Sequence, residues 1–117
     1  MNWSRIAACL LGLAVILGAF GAHGLKSRLD GYQMGIYEKA VFYHFIHGLG
    51  MLFAATTANL SKQSRAQICS LFAVGILLFS GSLYCLALSG VTMLGAFTPF
   101  GGAAFIAAWM WMAWKLS

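Results

Sequence analysis

His23, His44 and His47 are the three histidines of a chain that holds only two acidic residues, Asp30 and Glu38. Imidazole can move protons near neutral pH or bind a metal. Tyr43, Ser82, Cys85, Ser89 and Thr98 add hydroxyls and a thiol. Catalysis lacks its usual partners here. No carboxylate stands inside an apolar run, so paired acid–base chemistry has no second member. Ser and His occur with no Asp to orient the ring, so a hydrolase triad is absent. No glycine-rich phosphate loop of recognised spacing occurs, and Gly18-Ala19-Phe20-Gly21-Ala22 reads as helix packing. Cys9, Cys69 and Cys85 are odd in number, lack a CxxC spacing and lie in apolar runs. A free Cys there behaves as a small hydrophobe, which leaves neither a disulfide framework nor a metal site.

What must position these residues follows from composition. Of 117 residues, 62% are hydrophobic and 8% charged, against about a quarter charged in a soluble domain. Lipid is the solvent that suits such a chain. The net charge of +5 would suggest nucleic acid in a soluble protein. Here the basic residues stand singly at the ends of apolar runs, where they anchor helices. Membrane lipid, and not nucleic acid, is the expected partner. Arg5, the apolar run behind it and Ala19-Phe20-Gly21 have the outline of a signal peptide. Everything downstream is equally apolar, so this run is expected to be a retained span.

The pattern predicts an all-α, polytopic membrane protein: one domain over residues 1–117, built as a four-helix bundle with spans 3–22, 40–60, 67–89 and 98–115. Leu25 and Leu29 could give the stretch from Lys26 to Lys39 one amphipathic turn at the interface. Thr98 suits an N-cap, and Pro99 suits the first helical position. Arg5, Lys62, Arg65 and Lys115 share one side, against Lys26, Arg28 and Lys39 on the other. That count favours both termini in the cytoplasm.

Helical projection separates small from bulky faces. Gly12, Gly18 and Gly21 fall with Ser4 and several alanines on one half of span one, opposite Leu13, Ile16 and Phe20. In span two Tyr43, His44, His47, Gly50 and Met51 share an arc. Gly75, Ser82 and Ser89 recur every seven residues in span three beside Gly81 and Cys85, while Ser80 and Tyr84 point to a second packing surface. Gly101 and Gly102 open span four. Small residues let helix backbones approach in lipid, so these glycines are the expected contacts. Trp109, Trp111 and Trp114 read as an interfacial belt.

Alternating passes put His23, Tyr43, His44, His47, Ser82, Cys85, Ser89 and Thr98 in one half of the bundle. That half is the candidate polar cluster. Hydrogen bonding within the fold is the expected role of His23 and His44, and Ser82 and Ser89 are expected to bond to carbonyls of the preceding turn. His47, deeper and inward-facing, suits either a structural or a ligand-binding role.

Gly18-Ala19-Phe20-Gly21-Ala22-His23-Gly24-Leu25 resembles the start of the YgdD/YwdK family of small bacterial membrane proteins. Tyr43 with His47, Leu78-Phe79-Ser80-Gly81-Ser82-Leu83-Tyr84, Thr98-Pro99 with Gly101-Gly102, and Trp109 are similar to its later motifs. The resemblance spans nearly the whole chain. It implies a four-helix plasma-membrane protein with eukaryotic relatives among small transmembrane proteins, in a family catalogued as a domain of unknown function. His44 stands where the family is associated with Gln, and no catalytic residue is carried over.

The function expected from these readings is a non-enzymatic membrane component whose small-residue faces pack internally, against other membrane proteins or as a homo-oligomer. No cofactor is required by it. Haem held by His23 and His47 is the main alternative, with Lys26 and Arg28 available to propionates. A small transporter or channel is the third. Four-helix multidrug exporters resemble this chain in length but use an acidic residue in helix 1, which is missing here.

Overall fold

A computed structural model describes residues 1–116. Its helices are α1 (Trp3–His23), α2 (Gly31–Thr56), α3 (Lys62–Ser89) and α4 (Thr98–Lys115), and no strand occurs among the described residues. The long axis measures 47 Å across a section of 26 × 21 Å, close to a bilayer of about 40–45 Å with its headgroups.

In α1, Asn2 caps the start by accepting from the Arg5 N–H at 3.0 Å. Ala7, Ala14 and Gly21 are its buried residues. They recur every seven positions, the seam of a shallow helix crossing. Leu13, Ile16 and Phe20 lie on the exposed side.

The second helix starts at Gly31, well before the expected Ala40. Asp30 accepts from the Gln33 N–H at 2.7 Å, and the Gln33 side chain accepts from the Asp30 N–H at 3.2 Å. This capping box satisfies two donors at once and draws Glu38 and Lys39 into the helix. The same helix ends at Thr56, not Leu60. Ser61 caps α3 by accepting from the Ser64 N–H at 3.1 Å, so that helix starts at Lys62 rather than Gln67. Over Ile76–Ser80 its ladder widens to a π turn, with the Gly81 N–H donating to the Ile76 carbonyl. It closes on Gly90, whose φ of 73° favours glycine.

A 3₁₀ segment, Thr92–Phe97, leads into α4. Thr98 is therefore the first residue of that helix and not its cap, and Pro99 lies in the first turn. Among the described residues three stretches are long and apolar enough to cross a membrane: Trp3–His23, Lys62–Ser89 and Thr92–Lys115. At 26 residues α2 is long enough, but Lys39, His44 and His47 lower its apolar character.

The main core gathers Met51, Ile68, Cys69, Phe72, Phe105, Ala108 and Met112 between α2, α3 and α4. A smaller one joins Leu25, Tyr37 and Ala87 near the loop after α1. Leu25 is buried there and Leu29 packs against it.

Candidate functional site

The residues proposed for one polar cluster divide into separate groups. His44 is 2% exposed. Its Nδ1 stands 2.8 Å from the Tyr84 hydroxyl on α3. The Tyr84 ring meets Tyr37 edge-on at 5.4 Å, and Tyr37 donates its hydroxyl to the Leu17 carbonyl of α1 at 2.5 Å. One network thus ties α1, α2 and α3. The Nε2 of His44 is buried with no hydrogen-bond partner. Either atom of the His44–Tyr84 pair can donate, according to the tautomer of the ring.

His47 behaves differently. Its Nδ1 stands 2.8 Å from the Tyr43 carbonyl in its own helix, so Nδ1 is the donor. Phe105 of α4 stacks on the ring at 3.5 Å and 8°. Tyr43 lies parallel at 5.7 Å, and the Trp109 ring approaches edge-on at 5.9 Å. These contacts are packing contacts. Trp109, expected in the interfacial belt, instead turns part of its ring inward against Phe72 at 5.0 Å. Trp114 is exposed, and Lys115 stands 5.5 Å over the Trp111 ring.

His23 is exposed at the end of α1. Gly48, next to His47, packs at Leu11. His47 therefore lies about 18 Å from the level of His23, at 1.5 Å per residue over the intervening helix. A single iron cannot take both as axial ligands at that separation. Among the described residues no three His, Cys, Asp or Glu side chains gather as a metal site.

Ser82 and Thr98 form a third group, their hydroxyls 2.7 Å apart across α3 and α4. The Ser82 hydroxyl is also 3.0 Å from the Phe79 carbonyl. Ser89 donates to the Cys85 carbonyl at 2.6 Å, and both residues are exposed. Ser80 is fully buried and donates to the Ala40 carbonyl of α2 at 2.8 Å. The π turn lies directly before Gly81, and Ser80 and Tyr84 on this stretch make the contacts with α2. Their separation from the Gly75 seam in helical projection was the available signal.

The packing glycines divide too. A Cβ at Gly101 would fall on the Phe79 backbone, one at Gly75 on the Phe105 ring and one at Gly21 on the Tyr37 ring. At Gly18 it would touch Val41 at 3.4 Å. Gly12 meets nothing within 4 Å, and Gly81 and Gly102 meet only ordinary contacts at 3.8–3.9 Å. Gly12 lies on the exposed side because the buried seam follows Ala7, Ala14 and Gly21. A Cβ at Gly50, on the expected arc of α2, would fall 2.8 Å from the Trp109 ring, and one at Gly48, which the expected set omits, 2.8 Å from the Leu11 side chain.

Arg65 reaches back from α3 to the end of α2. One guanidinium nitrogen donates to the Ala54 and Thr57 carbonyls, each at 2.8 Å, and another to Leu60 at 2.9 Å. A cation at a helix C-terminus satisfies carbonyls left over by the helix. Cys69 is buried beside the Met51 carbonyl at 3.7 Å, while Cys9 and Cys85 are exposed.

Residues 17–102 match a family described as a protein of unknown function (DUF423). The chain belongs to this family. A UPF0382 membrane protein of Staphylococcus haemolyticus is 42% identical over 89% of this chain and 84% of its own length. YwdK of Bacillus subtilis, also a UPF0382 membrane protein, is 44% identical over 84% of this chain and 81% of its own. The UPF0382 inner membrane protein YgdD of Escherichia coli is 42% identical over 84% of this chain and 76% of its own. No solved structure matches. The match to the YgdD/YwdK group agrees with the motif resemblance, and the four-helix fold is that of a small integral membrane protein with no ascribed activity.

Proposed function

We propose that this family member is a non-enzymatic interaction component of the plasma membrane, with all four helices crossing and both termini cytoplasmic. Crossing by α2 is supported by its register. Tyr37 lies at Gly21, Val41 at Gly18 and Gly48 at Leu11, so α2 runs antiparallel along most of α1. A helix of about 21 residues matches the hydrocarbon thickness, and whatever depth α1 covers, α2 covers as well. Phe42, Leu49 and Phe53 give α2 an exposed apolar face suited to lipid.

The observation that carries the functional reading is that the interior polar side chains, the Nε2 of His44 excepted, bond to the bundle itself. His47 bonds to its own helix and is capped by Phe105, and Ser80, Tyr37, Ser82 and Thr98 all have partners within the bundle. Lipid cannot satisfy such groups, so pairing them internally is what a sealed bundle needs. A transport path needs polar groups directed at a lumen. What remains is the outer surface, where another membrane protein or a second copy would bind.

Purification from native membranes tests this reading. The native thiols of Cys9 and Cys85 are both exposed, so a short bifunctional thiol reagent applied to those membranes should trap a discrete larger species. The purified protein should show no visible haem band, and vesicles containing it no proton-driven cation flux. A haem band lost in His47→Gln, or such flux, would overturn the reading.

A further inference from the structure

A groove of about 390 Å³ opens between the C-terminal part of α1 and the N-terminal part of α2. Gly18, Gly21 and Ala22 form one wall, and Met34, Tyr37 and Val41 form the other. The two glycines let Tyr37 and Val41 of α2 pack close to α1 along the groove. The Tyr37 hydroxyl is spent on the Leu17 carbonyl and leaves the floor apolar. Lys26 and Glu38 complete the lining with one positive and one negative charge. Both side chains are exposed, and no ion pair joins them among the described residues.

Depth gives these charges their meaning. Glu38 follows Tyr37, which packs at Gly21, so its backbone lies about 4.5 Å along the axis from the end of α1. That is the level where hydrocarbon meets headgroups, and an unpaired carboxylate there is costly. Lys39 does not line the groove. Lys26 and Glu38 thus present one unpaired positive and one unpaired negative charge over an apolar groove.

We propose that this groove holds a phospholipid whose headgroup carries both a phosphate and a primary ammonium. Lys26 takes the phosphate as a compact point charge. Glu38 accepts N–H bonds from the ammonium, as charge-assisted contacts that a quaternary ammonium cannot supply. An acyl chain lies along Gly18, Gly21 and Val41. An uncharged glycerol headgroup on an anionic lipid would leave Glu38 unpaired. The proposal rests on the reading that the loop after α1 lies at the membrane surface.

The test is native mass spectrometry of the full chain released from nanodiscs containing equal parts phosphatidylethanolamine, phosphatidylcholine and phosphatidylglycerol. Wild type should retain one phosphatidylethanolamine, preferred by at least about fivefold, equivalent to about 1 kcal/mol. Glu38→Gln should abolish the preference over phosphatidylcholine, and Lys26→Gln should weaken retention of all three. Ala22→Phe, which fills the groove from an exposed position, should displace the lipid in a bundle that stays folded. Equal retention of the three lipids by wild type, or an unchanged preference in Glu38→Gln, would overturn the proposal. So would a disulfide between two Ala22→Cys copies, which would place a second chain in the groove. Impermeant labelling at Ser27→Cys in the same preparation reports whether the loop is at the surface. A failed lipid preference is thereby distinguished from a failed topology.

Discussion

The Tyr84 hydroxyl and the Nδ1 of His44 stand 2.8 Å apart, joining α3 to α2 inside the bundle. Tyr84 reaches that position just past the π turn, beside Ser80 and its bond to Ala40. Lipid offers no substitute partner for either side chain, so the bond fixes which face of α3 meets α2.

Tyr84→Phe should therefore lower unfolding stability in detergent by about 0.6 kcal/mol and by no more than about 2, the range of interhelical bonds in membranes. His44→Leu should cost at least as much. The double variant should cost less than the sum, because both singles remove one bond. Strict additivity in chemical unfolding would mean that the contact contributes nothing. His44→Gln should be milder than His44→Leu, since an amide retains a donor and an acceptor.

Gly101 and Gly12 should respond in opposite ways to one methyl group. At Gly101 the added Cβ lands on the Phe79 backbone, where no side chain can yield. Gly101→Ala should cost about 1–3 kcal/mol through overpacking and helix separation. At Gly12 there is open space, and alanine is the better helix former. Gly12→Ala should leave thermal stability unchanged or slightly raised.

Arg65 should prove the most sensitive basic residue. Its three donations hold the carbonyls of Ala54, Thr57 and Leu60, and bonds to charged groups are worth about 1.5–3 kcal/mol each at most. Arg65→Ala should lower the melting temperature clearly. Arg65→Lys should recover only part of the loss, since an ammonium cannot span the three carbonyls as a planar fork does. Lys62→Ala, one turn earlier and exposed, is the control and should change nothing.

Much of the bundle was legible in the amino acids. The apolar runs gave four helices, and the small half of span one contains the seam of Ala7, Ala14 and Gly21 that the fold buries. Helix starts were less legible, because hydropathy dominates the reading of a membrane chain. Asp30 with Gln33, and Ser61 with Ser64, are local capping signals that extend α2 and α3 into polar sequence. Gly12 was misplaced because a half-circumference is wider than the stripe a neighbouring helix covers. The candidate cluster dispersed for a different reason. The early start of α2 carries His47 deep into the bundle, away from His23, and leaves no hydrophobicity signature. Ser80 and Tyr84 were legible, since their helical projection sets them apart from the Gly75 seam and they meet α2.

The central claim is a four-crossing bundle, and its decisive element is α2, the helix whose composition alone does not qualify it. The measurement is labelling of intact cells by a membrane-impermeant maleimide. The background carries Cys9→Ala, Cys69→Ala and Cys85→Ala, and the probes are Ser27→Cys before α2 and Asn59→Cys after it, both at exposed positions. Ser27→Cys should label in intact cells, and Asn59→Cys only after the membrane is permeabilised. Labelling of both probes from the same side would show that α2 does not cross, and would contradict the account.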